Sequence, residues 1–274
     1  MSNNAKTFIR TTFYAVVVVL LICYLGTKSF VDNQQNPSYK EIAALDNNTQ
    51  TTNLGNWSET IERSRSSAVR VLSASDEHEP TRIASSSGTY VNMFDRYFVI
   101  TTMHGIIGTC ENTRILVGQT MHPCGRFIEL NKASDYALIE VYEIRDREPI
   151  KIPRMVPATK YDWIDSLAIM NKTVYTGFPN GIGPLTIDGK IAGHTGGDFI
   201  YLLSYAWSGS SGSGVFSRDG KYIGYVIAID VGASIYGGNQ ILENIVLVVP
   251  AFKINWASAL EYDTALPLRE EETN

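Results

Sequence analysis

Cysteine is almost missing from this 274-residue chain, with three residues at positions 23, 110 and 124. So few exclude a disulfide framework, and without a Cys-x-x-Cys pair the zinc sites built on that spacing are excluded as well. Cys110 and Cys124 either form one bridge in an oxidising compartment or stand as two free thiols. Charge is sparse: 19% of residues are Asp, Glu, Lys or Arg, and the formal net charge is −5. No cluster of Lys and Arg offsets that balance, which argues against a nucleic-acid-binding surface. Long stretches of helical periodicity are scarce and no internal repeat is visible, so the reading turns to β structure.

What is abundant fits that direction. Gly (22) and Tyr (15) are plentiful, and 44% of residues are hydrophobic, enough for a sizeable core at this length. The chain opens differently. No charge lies between Arg10 and Lys28, and Phe13–Leu25 is almost wholly apolar. Its length is short for a membrane span and long for a signal-peptide core, and Thr27-Lys28-Ser29 is a poor cleavage site. Leu21-Ile22-Cys23 resembles a lipid-attachment box only loosely. An uncleaved anchor over residues 1–27 is the expectation. Lys6 and Arg10 precede it, which places the N-terminus in the cytoplasm and the remainder across the membrane, in a periplasm, a lumen or outside the cell.

Residues 28–64 are rich in Asn, Gln, Thr and Ser and read as a polar stalk, with a short helical turn over Glu59–Arg65. Asn47-Asn48-Thr49, Asn56-Trp57-Ser58 and Asn171-Lys172-Thr173 fit the glycosylation sequon. From Ala68 short β-rich runs recur, among them Gly88–Phe94, Tyr97–Thr101 and Tyr136–Val141. After a polar gap near 145–165 they resume with Leu167–Met170, Thr173–Thr176, Phe199–Leu203, Tyr222–Ile229 and Asn244–Val249. About six runs on each side predict an all-β fold of two packed barrels spanning 65–260. Ile254–Leu260 is expected to close it as a short helix, ahead of a polar acidic tail, 261–274.

Three residues carry the chemistry. Ser211 lies in Gly209-Ser210-Ser211-Gly212-Ser213, a glycine-permitted bend between apolar runs. Such a bend exposes a nucleophile and frees N–H groups for a reacting oxygen. Ser210 and Ser213 lack its flanking glycines. Of four histidines, His78 lies in a charged loop, His122 in a turn and His194 in a hairpin, whereas His104 ends the strand Tyr97–Met103 and can face a cleft. Asp135 opens the strand Tyr136–Val141, where a half-buried carboxylate can accept a proton from an imidazole nitrogen. The order is His, Asp, Ser; an α/β-hydrolase would need Gly-x-Ser-x-Gly and a histidine last.

Thr101-Thr102-Met103-His104, Ser134-Asp135-Tyr136-Ala137-Leu138 and Gly209-Ser210-Ser211-Gly212-Ser213 together resemble the three catalytic boxes of chymotrypsin-like serine proteases. The likeness is nearest to the HtrA and glutamyl-endopeptidase branches. Gly177-Phe178-Pro179-Asn180-Gly181 and Asp219-Gly220-Lys221-Tyr222-Ile223-Gly224 also look HtrA-like. The resemblance implies a double six-stranded β-barrel and a serine endopeptidase acting on protein or peptide substrates without a cofactor or metal. It implies His104, Asp135 and Ser211 as the triad, with N–H groups of Gly209 and Ser211 as the oxyanion hole. Tyr205, Ala206, Trp207, Ile227, Ala228 and Ile229 would line a mostly apolar pocket for an uncharged side chain. Met103 stands where a small residue is usual. Ser210 replaces the aspartate that pairs with a newly cut N-terminus, so activation by N-terminal insertion is not expected. Nor is a PDZ module after residue 260. The competing expectation is an inactive, membrane-tethered binding module on the same fold.

Overall fold

Two closed β-sheets carry the chain from Ala68 to Pro250 in the computed structural model, which describes residues 55–75, 82–153, 156, 160–163, 165–233, 239–262 and 266. The apolar run Phe13–Leu25, residues 28–54 and most of the acidic tail lie outside the described residues, and so does His78. Among the described residues no helix is long and apolar enough to cross a membrane.

The first barrel is built from β1 (Ala68–Ser75), β2 (Arg82–Met93), β3 (Arg96–Thr102), β4 (Thr113–Val117), β5 (Thr120–Asn131) and β6 (Tyr136–Val141). Pairing runs β1-β4-β5-β6-β3-β2 and closes through β1 on β2, all antiparallel. A two-residue strand, β7 (Ile150–Lys151), adds to β2 in parallel. The second barrel follows as β8 (Lys172–Gly177), β9 (Leu185–His194), β10 (Ile200–Leu203), β11 (Gly214–Ser217), β12 (Tyr222–Ala233) and β13 (Asn239–Pro250). It closes in the order β10-β13-β12-β11-β8-β9. Closure gives each of the six strands of either barrel a neighbour on both sides.

Each barrel has its own core, as alternation on pleated strands requires. Val69, Val71, Tyr90, Val99, Ile115, Ala137 and Ile139 fill the first, and Tyr175, Ile191, Leu202, Val215, Ile223, Val226 and Val248 fill the second. β6 is buried at every position, Glu140 included. That carboxylate, 2% exposed, accepts from Arg96 Nε at 2.6 Å and from Arg126 Nε. Arg96 also donates to the Ala259 and Tyr262 carbonyls at 2.7 and 3.1 Å, tying the end of the described chain to the first barrel.

Two expectations need correcting. The helical turn at Glu59–Arg65 is a full helix, α1 (Gly55–Ser66), which buries Trp57 and Ile61 against β8, β9 and β11. Residues 55–64 therefore belong to the packed body and not to a stalk. Leu167–Met170 is a turn, with Met170 at φ 69°, though Leu167 still reaches the second core. Of its apolar letters only Leu167 is buried; Ile169 and Met170 are exposed. The short closing helix expected over Ile254–Leu260 is present, as a 3-10 segment at Trp256–Leu260. Cys110 and Cys124 are bridged, joining the loop beyond His104 to β5.

Candidate active site

The end of β3 and the start of β6 lie side by side, Thr102 pairing with Tyr136, so the residues just beyond them meet. Asp135 adopts φ 51°, a left-handed conformation that aspartate tolerates better than most residues, and grips the turn at Met103–Gly105 by three bonds. Its carbonyl accepts from Met103 N–H at 3.1 Å. Its Oδ1 accepts from His104 N–H at 2.9 Å, and its Oδ2 lies 2.6 Å from His104 Nδ1. The carboxylate thus fixes Nδ1 as the protonated nitrogen and leaves Nε2 as the acceptor. The His104 pKa is raised, first by the hydrogen bond to Asp135, with burial opposing. His104 is 52% exposed and Asp135 30%. His194 is committed elsewhere, Nε2 to the Leu167 carbonyl at 2.9 Å.

Ser211 sits on the second barrel, in the bend before β11. Its neighbours in sequence separate by burial: Ser210 and Ser213 are 1% and 0% exposed, while Ser211 is half-buried. Ser213 Oγ donates to the Ser210 carbonyl at 2.7 Å and Ser210 Oγ accepts from Trp207 N–H at 3.2 Å. Ser211 Oγ donates to the Ile227 carbonyl at 3.1 Å, and no hydrogen bond joins it to His104 among the described residues.

The backbone of this bend is held carbonyl by carbonyl. Ser208 C=O accepts from Asn180 N–H at 2.6 Å and Gly209 C=O from Ser87 Oγ at 2.7 Å. Ser210 C=O accepts from Ser213 N–H at 3.1 Å and Ser211 C=O from Ser87 N–H at 2.8 Å. The turn Trp207–Ser210 is closed by Ser210 N–H on the Trp207 carbonyl at 2.9 Å, with Gly209 at φ 90° in the position where a type II turn needs positive φ. Because a trans peptide points its C=O and N–H oppositely, pinning the Ser208 and Ser210 carbonyls aims the N–H groups of Gly209 and Ser211 away from those anchors. Neither N–H has a partner among the described residues.

Glycine is needed here for space as well as φ. A Cβ on Gly209 would meet the Phe178 carbonyl at 2.7 Å, and one on Gly212 would meet Ser87 O at 2.0 Å and Thr101 Oγ1 at 2.6 Å. Thr101 is three residues before His104, so the Ser211 bend adjoins the strand that delivers the imidazole.

The expected pocket residues divide. Tyr205 and Trp207 are 56% and 50% exposed and stack with ring centroids 6.2 Å apart. Ala206 is 6% exposed and packs into the core of the second barrel. Ala228 and Ile229 pair with Leu247 and Val246 on β12 and β13; their side chains lie outside the description. No group of three His, Cys, Asp or Glu gathers among the described residues. A cavity of about 370 Å³ lies elsewhere, lined by Arg63, Trp163, Lys221 and Trp256 among others, and no candidate catalytic residue borders it.

Sequence reasoning missed Ser87, which binds Gly209 and Ser211 at once, and Tyr225, whose OH donates to the Ser134 carbonyl at 2.6 Å. Both act through hydroxyls whose partners are remote in sequence, and no local pattern marks them.

No protein-family profile and no curated protein matches the chain. Solved structures do. A serine endoprotease from Yersinia pestis superposes with a TM-score of 0.53 at 15% identity, over 74% of this chain and 63% of that one. The active form of the Rv3671c protease from M. tuberculosis gives 0.52 at 16% identity, over 72% and 81%. The chain thus has the chymotrypsin-like double-barrel fold, as its motifs led one to expect.

Proposed function

We propose that the chain is a serine endopeptidase, tethered to a membrane through Phe13–Leu25, that hydrolyses peptide bonds through an acyl-enzyme. The observation that carries this reading is the Asp135–His104 clamp beside a bend with a half-buried Ser211, where the Gly209 and Ser211 N–H groups have no partner among the described residues. In this mechanism the Ser211 hydroxyl leaves the Ile227 carbonyl and turns to donate to His104 Nε2. As Oγ attacks the scissile carbonyl, His104 takes the proton, and Asp135 stabilises the imidazolium that forms. The developing oxyanion accepts from Gly209 and Ser211 N–H, each donor contributing about 3–4 kcal/mol to the transition state. His104 then protonates the leaving amine, and a water repeats the sequence on the acyl-enzyme. The exposed rings of Tyr205 and Trp207 favour substrates with an uncharged side chain before the cleaved bond.

The Cys110–Cys124 bridge supports a location in an oxidising compartment, in keeping with a protease domain on the far side of the membrane. A fluorophosphonate probe tests the assignment. Labelling that disappears in both Ser211→Ala and His104→Ala supports it, and no labelling of folded wild-type protein refutes it. The second reading, an inactive binding module, draws on the Ser211 hydroxyl being engaged by Ile227 and not by His104. Apo serine nucleophiles are often imperfectly aligned with their base, so this favours the module only weakly.

A further inference from the structure

β2 carries the run Ser85-Ser86-Ser87-Gly88-Thr89, buried from Ser86 onward although it is polar almost throughout. Buried hydroxyls are tolerated when they are bonded, so each one marks a contact that the fold maintains. Ser87, 0% exposed, has the fullest set. Its Oγ accepts from Phe178 N–H at 2.8 Å and donates to Gly209 C=O at 2.7 Å. Its N–H donates to Ser211 C=O at 2.8 Å, and its C=O accepts from Thr101 Oγ1 at 2.7 Å. One residue of the first barrel thus touches the strand leading to His104, two peptides of the nucleophile bend, and the root of the loop that holds Ser208 C=O through Asn180.

We propose that Ser87 is the positioning residue of the candidate active site, holding the nucleophile bend in the conformation that presents the Gly209 and Ser211 N–H groups to a reacting carbonyl. This rests on the peptidase reading above and adds to it how the site is regulated: the donor pair stands assembled without an activating partner. The geometry explains the assignment. Rotating the Ser208–Gly209 peptide to turn its N–H away would bring its carbonyl round, which requires breaking the Asn180 bond. Gly209 C=O cannot follow while Ser87 Oγ holds it. Phe178 N–H on the same oxygen keeps the Asn180 loop in register with the bend, so one hydroxyl couples the two anchors. Without it Gly209 C=O and Phe178 N–H lose a shared partner, and the bend can relax to the other central-peptide orientation, in which the Gly209 N–H points elsewhere and the donor pair is broken.

The test reads the donor pair separately from the base. A fluorophosphonate places a phosphoryl oxygen where the oxyanion would sit, and its labelling rate follows the donors and His104 together. In Ser87→Ala the second-order labelling rate is expected to fall about 10- to 100-fold. The acid-side midpoint of the pH profile, governed by His104 and Asp135, is expected to stay within about 0.3 of wild type. Ser87→Cys keeps a weaker donor on the same carbon, on a bulkier atom, and is expected to lie between the two, replacing the alanine variant if that fails to fold. Wild-type labelling rates in either folded variant overturn the assignment, as does a rate loss accompanied by a moved midpoint. No labelling of the wild type overturns the peptidase reading and this assignment with it, whereas wild-type labelling of the Ser87 variants overturns this assignment alone.

Discussion

Replacing Asp135 by Asn removes one of the two oxygens that hold His104. The remaining oxygen can keep His104 N–H, now 2.9 Å from Oδ1, but the amide NH2 then faces Nδ1 in place of Oδ2. Two donors cannot meet, so the ring takes the tautomer with its proton on Nε2, where it can no longer receive the Ser211 proton. The same exchange in another serine-protease triad lowers kcat about 10⁴-fold, and a loss of that order is expected here. The pH profile should change with it. The hydrogen bond to Asp135 is the main cause that raises the His104 pKa, so under the proposed mechanism the wild-type acid limb should lie above the ordinary histidine range and fall back toward it in the variant. Stability follows the sign of the shift. A raised folded-state pKa contributes stabilisation that is complete below the unfolded value and is lost as pH rises through the folded one. The melting difference between wild type and Asp135→Asn should therefore be larger at pH 5.5 than at pH 8.5. A charge-assisted hydrogen bond contributes about 1.5–3 kcal/mol, but with His104 52% exposed solvent screening reduces this to about 1 kcal/mol. Peptide hydrolysis across pH 5–9 and thermal melts at the two pH values check both. An Asn variant that retains more than about a tenth of wild-type activity with an unmoved acid limb would refute the argument.

Other perturbations separate the scaffold from the site. Glu140→Gln leaves Arg96 and Arg126 facing an uncharged amide in a site where the carboxylate is 2% exposed, and should cost about 3 kcal/mol, read as a melting temperature about 6–12 °C lower with the acid limb unchanged. Gly209→Ala forces a Cβ to 2.7 Å from Phe178 O at φ 90°, so fluorophosphonate labelling should fall at least about 100-fold in protein that remains folded. Replacing Cys110 and Cys124 together by Ser opens a loop of sequence separation 14 and should lower stability by about 3 kcal/mol in thermal or urea melts.

The barrels were legible in the sequence because β-branched and aromatic residues fill them and turns such as Asp219-Gly220 punctuate them. β6 reads as an apolar strand from its letters alone. The first half of β2 does not: Ser85, Ser86 and Ser87 carry no apolar periodicity, so the strand seemed to begin at Gly88 although it pairs with β1 from Arg82 onward. Leu167–Met170 failed the other way, its apolar letters serving a turn that only Leu167 anchors in the core. His104 and Asp135 were recognisable as strand-terminal polar residues, and the structure joins them directly. The bonds of the Ser87 hydroxyl could not be read, because they connect positions more than 90 residues apart and depend on strand register, which one sequence does not specify.

The proposed chemistry divides its groups between the barrels, His104 and Asp135 on one and Ser211 on the other, so it needs a fixed register across the interface and not merely two stable cores. Apolar packing alone would resist separation but tolerate sliding, since hydrophobic contact is non-directional. Hydroxyls supply direction. Ser87 ties β2 to the Gly209–Gly212 bend, Thr101 ties β3 to the Ser87 carbonyl, and Tyr225 reaches from β12 to the Ser134 carbonyl, the peptide just before Asp135. Burial above all, and then nearby Tyr222 and Asp135, push the Tyr225 phenol upward, so it remains an O–H donor wherever His104 titrates. Titration of the base therefore leaves this crossing bond intact, and the acid limb of activity should report the His104–Asp135 pair and not a shift of one barrel against the other.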